Sequence, residues 1–311
     1  MADIGRGTGF GKTILFGEHF AVYGLPVIAS AISDRTVADI VPSEKYELID
    51  NRPATPGYKE KKKGEMERSM KLLLDYMNID VKRDPVKIIL SGDLFCTSGV
   101  GASAAMATAI ARAFSDLYGL GIGDEEINRI SYEAEKSTGT PSGIDNTCST
   151  FGGLIWFIRD IDSGKNTIEP IKLGKPLDIV LANTGISQDT KAVLSDVKRS
   201  KEADPGKYEV TFSKYEMLVK DARKALEAGD FEAVARNIDK NHELLREINV
   251  SCDEVEKIIS AAKASGALAG KITGTGRGGY VILFTPGKEL QEKVSKAVES
   301  IGYITMKTTI L

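Results

Sequence analysis

Apolar positions along this chain change their period several times. At residues 13–16, 37–41 and 86–90 they run together or alternate as strands require, whereas 65–76 and 103–118 space them three and four apart, like one face of a helix. A short helix is expected over 124–136, entered by Gly123-Asp124, then a loop over 137–144 and a strand at 153–157. A strand at 177–182 leads into Asn183-Thr184-Gly185. The polar stretch 198–207 reads as a mobile domain junction. Beyond it, 212–227, 231–248 and 251–264 are helical, and the chain closes with strands at 268–272, 280–284 and 303–308 around a helix at 289–300. There is no internal repeat and no regular strand–helix alternation. The order predicts an α+β protein of two domains, residues 1–182 and 183–311.

The opening stretch, GRGTGFGKTILFGEH, contains Gly11-Lys12-Thr13 and invites comparison with a phosphate-binding P-loop. That motif needs a glycine five places before the Gly-Lys pair and a helix after it, so that backbone N–H groups and the helix N-terminus wrap the anion. Arg6 stands at the glycine position, and the residues that follow read as a strand. The P-loop is therefore rejected, and Lys12 is read as a cation delivered by a strand.

Composition narrows the field. A formal net charge of -3 with no basic stripe gives no electrostatic reason to expect nucleic acid as a partner. Three scattered cysteines, Cys96, Cys148 and Cys252, fit neither a zinc cluster nor a disulfide framework. No signal-peptide pattern or membrane-spanning run is visible, so a cytoplasmic protein with no membrane partner is expected. Lys59-Glu60-Lys61-Lys62-Lys63 reads as a solvated surface segment.

Two glycine-rich stretches could cradle a phosphate. Thr97-Ser98-Gly99-Val100-Gly101-Ala102-Ser103-Ala104-Ala105 runs straight into an alanine-rich helix, where bare backbone and unpaired helix N–H groups would meet an anion. A tight loop that simply packs the helix onto a sheet explains the same residues. Gly274-Thr275-Gly276-Arg277-Gly278-Gly279 lies between two strands and holds more glycine than a hairpin needs, which points to close approach of a ligand or another loop. A third segment, Gly139-Thr140-Pro141-Ser142-Gly143-Ile144-Asp145-Asn146, places one acid at the end of a rigid loop just before a strand. Taken alone, Asp145 is equally an ordinary turn aspartate. His242, on a long helix, reads as structural.

These segments, with Gly17-Glu18-His19, occur in the order found in the GHMP kinases, and the chain resembles that superfamily over nearly its whole length. Residues 11–24 and 139–146 are most similar to its mevalonate kinase branch. The resemblance implies a two-domain fold: an N-terminal domain with a left-handed βαβ unit, a ferredoxin-like C-terminal domain, and an active site in the cleft between them. It also implies an ATP- and Mg²⁺-dependent transfer of phosphate to a small-molecule alcohol, with mevalonate as acceptor and a sugar, homoserine or phosphomevalonate as the alternative. A homodimer is compatible with it.

Residue by residue, the resemblance makes Asp145 the catalytic base and Lys12 its partner. Thr97, Ser98, Gly99, Val100, Gly101, Ala102, Ser103 and Ala104, with Gly274 and Gly276, would bind the nucleotide; Ser103 and Glu135 would hold the metal. Lys12, Glu18, His19, Asp145 and Thr184 would meet the acceptor. The chain departs from the usual motifs at Phe10, Phe95, Val100 and Ala102, and above all at Arg277, whose guanidinium could add a phosphate contact or block one. A dehydrogenase is disfavoured because neither glycine loop has the strand, helix and downstream acid of a dinucleotide site. Lys12 argues against a related decarboxylase, and Asp145 against a non-catalytic sensor.

Overall fold

Alternate glycines at the start of the chain are packing positions. In the computed structural model, which describes residues 3–97, 99–139, 141–162, 166–186 and 188–310, Gly5 to Lys12 belong to a strand that presses on an alanine-rich helix. A Cβ on Gly5, Gly7 or Gly9 would meet the carbonyl oxygen of Ala113, Ala109 or Ala105 at 2.2, 2.1 and 2.2 Å. The two-residue period of the strand thus matches the four-residue period of the helix, and backbone touches backbone.

The elements, in chain order, are β1 (Gly5–Phe16), a 3₁₀ turn (Phe20–Tyr23), β2 (Val27–Pro42), β3 (Glu47–Asp50), α1 (Tyr58–Tyr76), β4 (Val86–Gly92), α2 (Ala102–Tyr118) and α3 (Asp124–Glu135). A second 3₁₀ turn (Lys136–Thr138) leads to α4 (Ile144–Phe151), β5 (Leu154–Ile158), β6 (Thr167–Ile171) and β7 (Leu177–Asn183). Then follow α5 (Thr190–Ala203), α6 (Pro205–Ala228), α7 (Phe231–Glu247), α8 (Asp253–Ala264), β8 (Ala269–Thr273), β9 (Tyr280–Phe284), α9 (Lys288–Ser300) and β10 (Ile304–Ile310). The mixed α+β content is as the pattern predicts. No helix among the described residues is long and apolar enough to cross a membrane.

The chain divides into two compact units, residues 1–12 with 31–152, and 13–30 with 153–311. Residues 153–182 thus cluster with the C-terminal elements. In the first unit, β4 pairs antiparallel with β2, Thr36 opposite Gly92 and Pro42 opposite Val86, and parallel with β3. Ile40, Leu73, Ile88, Leu90, Ile110, Phe114 and Ile130 join strands and helices in one apolar core. Helix α2 is buried over most of its length, which only a run of alanines permits so close to a strand.

The second unit carries an antiparallel sheet in the order β10-β7-β9-β8, with every residue of β8 and β9 buried. Aromatic contacts fix α6: the Tyr215 ring stacks on Phe20 at 3.9 Å, and its buried hydroxyl donates to the Pro26 carbonyl at 2.6 Å.

Two expectations are corrected. The stretch 198–207 is helical: α5 ends at Ala203, and Asp204 caps α6 by accepting from the Lys207 N–H, with Pro205 in the first turn. Its polarity marks solvated helix faces. The region after the 137–144 loop opens with α4 before the strand, so Asp145 lies in the first turn of a helix. The lysine-rich segment 59–63 forms the start of α1, with none of its residues buried.

Candidate active site

Lys12 and Asp145 face one another in the first unit, Nζ to Oδ1 at 2.8 Å. The glycine stripe seats β1 on α2, and the Lys12 N–H donates to the Val100 carbonyl at 2.8 Å, tying the strand to the first glycine loop. From the other side, Gly143 (φ +93°) turns the chain into α4. Asp145 then sits at that helix's N-terminus, where the backbone dipole favours a carboxylate. Burial opposes the Lys12 charge, but the charge and hydrogen bond of Asp145 outweigh it and hold the ammonium above the ordinary lysine range. The pair is a fixed cation beside an acceptor carboxylate.

Glu135, at the end of α3, feels the same pair. Burial first, and the Asp145 charge second, push its carboxyl up to about 8, while Lys12 and a hydrogen bond from the Asn146 backbone pull the other way. Two carboxyl groups thus crowd one cation in buried surroundings, and a further cation would favour the ionised form of Glu135.

The first glycine loop closes on this pair. Gly101 (φ +69°) is the residue before α2, and a Cβ there would touch Lys12 at 3.3 Å and Asp145 Oδ1 at 3.4 Å. Gly99 also has positive φ, +100°. Thr97, Val100, Ala102 and Ala104 are buried, and Ser103 is half-buried. Ser98 and Thr140 lie outside the described residues.

Ser103 also lines a cavity with Asp50, Arg52, Tyr58, Lys59 and Cys96. There Arg52 forms a two-pronged ion pair with Asp50, at 2.9 and 2.8 Å, and donates to the Ala102 carbonyl at 3.2 Å. Lys59 donates to the Asp50 carbonyl at 2.7 Å. Sequence reasoning missed Asp50 and Arg52 and read Lys59 as plain surface. The pairing of Asp50 with Arg52 two places on was the available signal.

Glu18, His19, Thr184 and the second glycine loop lie in the second unit. Glu18 is buried and pairs with Lys271 of β8, Nζ to Oε1 at 2.5 Å, both side chains having 1% exposure or less. His19 (φ +62°) donates from Nε2 to the Thr275 carbonyl at 2.6 Å. Burial, chiefly, and the Arg277 charge lower the His19 pKa, against the raising effect of that bond. The ring is therefore neutral, with Nδ1 a bare acceptor. Gly276 carries no Cβ because Val250 and the His19 ring fill the space; Gly274 has open space beside it. Thr184 donates its hydroxyl to the Gly279 carbonyl at 3.0 Å and accepts from the Ile186 N–H at 3.2 Å.

Arg277, the chief departure from the expected motif, is engaged structurally. Its guanidinium meets Asp196 of α5 at 2.7 Å and donates to the Asn249 carbonyl at 2.9 Å. His242 accepts from the Ile272 N–H on Nδ1 at 3.4 Å and meets Glu256 at 3.0 Å through Nε2.

Residues 66–153 match the family described as GHMP kinases N terminal domain, and residues 222–304 match GHMP kinases C terminal. The mevalonate kinase of Pyrococcus furiosus is 31% identical over 330 aligned positions, spanning 96% of this chain and 94% of its own. Among solved structures, L. major mevalonate kinase in complex with R-mevalonate superposes with a TM-score of 0.93 at 36% identity, over 98% of this chain and 95% of its own. Mevalonate kinase from methicillin-resistant Staphylococcus aureus MRSA252 gives 0.75 at 27% identity, over 98% of each chain.

Proposed function

The chain belongs to the GHMP kinase family, and from that premise we propose that it transfers the γ-phosphoryl group of ATP to the primary hydroxyl of mevalonate, giving 5-phosphomevalonate for isoprenoid precursor synthesis. The observation that carries this reading is the Lys12–Asp145 pair at 2.8 Å, with the Gly101 backbone against both residues.

Phosphoryl transfer asks for positioning and for stabilisation of developing charge. Asp145 accepts the hydroxyl proton as the oxygen attacks phosphorus, and ADP departs with the electrons of the broken P–O bond. Lys12 keeps its proton and steadies the oxygen as charge builds. The triphosphate is assigned to the backbone N–H groups of Thr97 and residues 99–104 and to the N-terminus of α2; in the second loop Gly274 leaves its backbone bare for ligand approach, whereas the space beside Gly276 is filled by Val250 and His19. By the family resemblance, Glu18, His19 and Thr184 are assigned the polar contacts to the acceptor.

The donor set suits Mg²⁺. Mg²⁺ in kinases is held by one or two protein oxygens plus substrate phosphates. Glu135, destabilised as an anion where it stands, and the Ser103 hydroxyl are the ligands we assign. When bound, Mg²⁺ neutralises phosphate charge.

The likeness to the R-mevalonate complex at 36% identity supports the acceptor. The test is a side-by-side assay of mevalonate, phosphomevalonate, homoserine and galactose with MgATP. Mevalonate gives the highest kcat/KM by a wide margin if the reading is right; a better substrate elsewhere in the panel would replace it.

A further inference from the structure

Strand β8 is buried at every position, and all of its residues except Lys271 and Thr273 are apolar or glycine. A buried ion pair rarely stabilises more than well-packed apolar side chains would, because two charges must leave water. The presence of Lys271 opposite Glu18 therefore calls for a reason other than stability.

Lys271 is held at two points. Its Nζ donates to Glu18 Oε1 at 2.5 Å and to the Ile272 carbonyl at 2.7 Å. The other Glu18 oxygen, Oε2, is buried with no hydrogen-bond partner. Nearby donors are committed elsewhere: the Tyr215 hydroxyl to the Pro26 carbonyl, His19 Nε2 to the Thr275 carbonyl, and the Thr273 hydroxyl to the Ile14 carbonyl. His19 Nδ1, on the adjacent residue, is also buried and bare. Two buried acceptors without partners, on consecutive residues, leave a desolvation cost that a ligand's O–H groups would remove.

We propose that Lys271 is a positioning residue: it holds the Glu18 carboxyl in one orientation through Oε1, so that Oε2 accepts a hydroxyl hydrogen bond from the acceptor alcohol. The proposal rests on the kinase reading above. Oε2 needs a donor and a carboxylate offers none, so the end of the acceptor it meets is a hydroxyl end, with His19 Nδ1 as a second acceptor for a polyhydroxylated or hydroxy-acid substrate.

The experiment is steady-state kinetics on wild type, Lys271→Met, Lys271→Arg and the double variant Glu18→Gln/Lys271→Met, varying mevalonate and MgATP separately. Lys271→Met raises KM for the alcohol about 10- to 100-fold, the worth of a hydrogen bond to a charged group. KM for ATP stays within about twofold, because the lost contact belongs to one substrate only. Lys271→Arg, which keeps the cation, recovers most of the loss. The double variant leaves no lone buried charge and covers the case in which Lys271→Met fails to fold; it too raises KM for the alcohol. A wild-type KM for the alcohol in the double variant, or equal losses for both substrates, overturns the proposal alone. A wild-type protein that phosphorylates no alcohol overturns the kinase reading and this inference with it.

Discussion

The α-carbon of Gly9 lies so close to the Ala105 carbonyl that a Cβ would sit 2.2 Å from the oxygen. Neither partner is a flexible side-chain end, so relief requires β1 to move off α2. Gly9→Ala is therefore expected to destabilise the protein by about 1–3 kcal/mol or to prevent folding, read from urea denaturation. If Gly9 served instead as a phosphate-loop glycine, the variant would keep its stability and lose nucleotide affinity.

Lys12 and Asp145 make the second test. Asp145→Asn and Lys12→Met are each expected to lower kcat by about 10²–10⁴-fold, while ADP binding measured by calorimetry persists, because the lost interactions belong mainly to the transition state. A nearly active Asp145→Asn enzyme would remove Asp145 as the base.

What the sequence revealed follows from how local each signal is. Lys12, the first glycine loop and the apolar strands are contiguous patterns, and they stand where the periodicity puts them. Helix α4 escaped because Ile144-Asp145-Asn146-Thr147-Cys148-Ser149-Thr150-Phe151 consists of poor helix formers, made helical by burial and by Gly143 at its start. The junction misread at 198–207 did carry a signal, Asp204-Pro205, an N-cap followed by proline at the first helical position. Lys271 could not be found at all: its partner lies 253 residues away in sequence, and in a strand pattern one lysine looks like an interruption.

Arg277 is expected to be structural. Its guanidinium is occupied by Asp196 and the Asn249 carbonyl, and its half-exposed ion pair is screened by water. Arg277→Ala should lower the melting temperature modestly and leave KM for MgATP within about threefold. A tenfold rise in that KM would mean that the guanidinium reaches phosphate.

His242 makes the protein sensitive to acid. The Ile272 N–H donates to Nδ1, so the neutral ring carries its proton on Nε2 and donates it to Glu256. Burial lowers the pKa below the ordinary histidine value, assisted by the Arg246 and Lys271 charges and opposed by Glu256. In the unfolded chain the ring titrates near 6.5, so as pH falls below that value the unfolded state takes up the proton first. The stability held by the neutral ring is present above pH 6.5 and is lost as pH drops toward the lower folded value. Protonation of the folded protein would also put a hydrogen on Nδ1, against the Ile272 N–H. Urea denaturation at intervals between pH 5 and 7.5 should show wild-type stability falling, relative to that of His242→Gln, which carries no titrating ring, as pH drops; the raised Glu135 carboxyl acts in the opposite sense but is common to both proteins and cancels in the difference. An unchanged slope in the variant would assign the acid sensitivity to other groups.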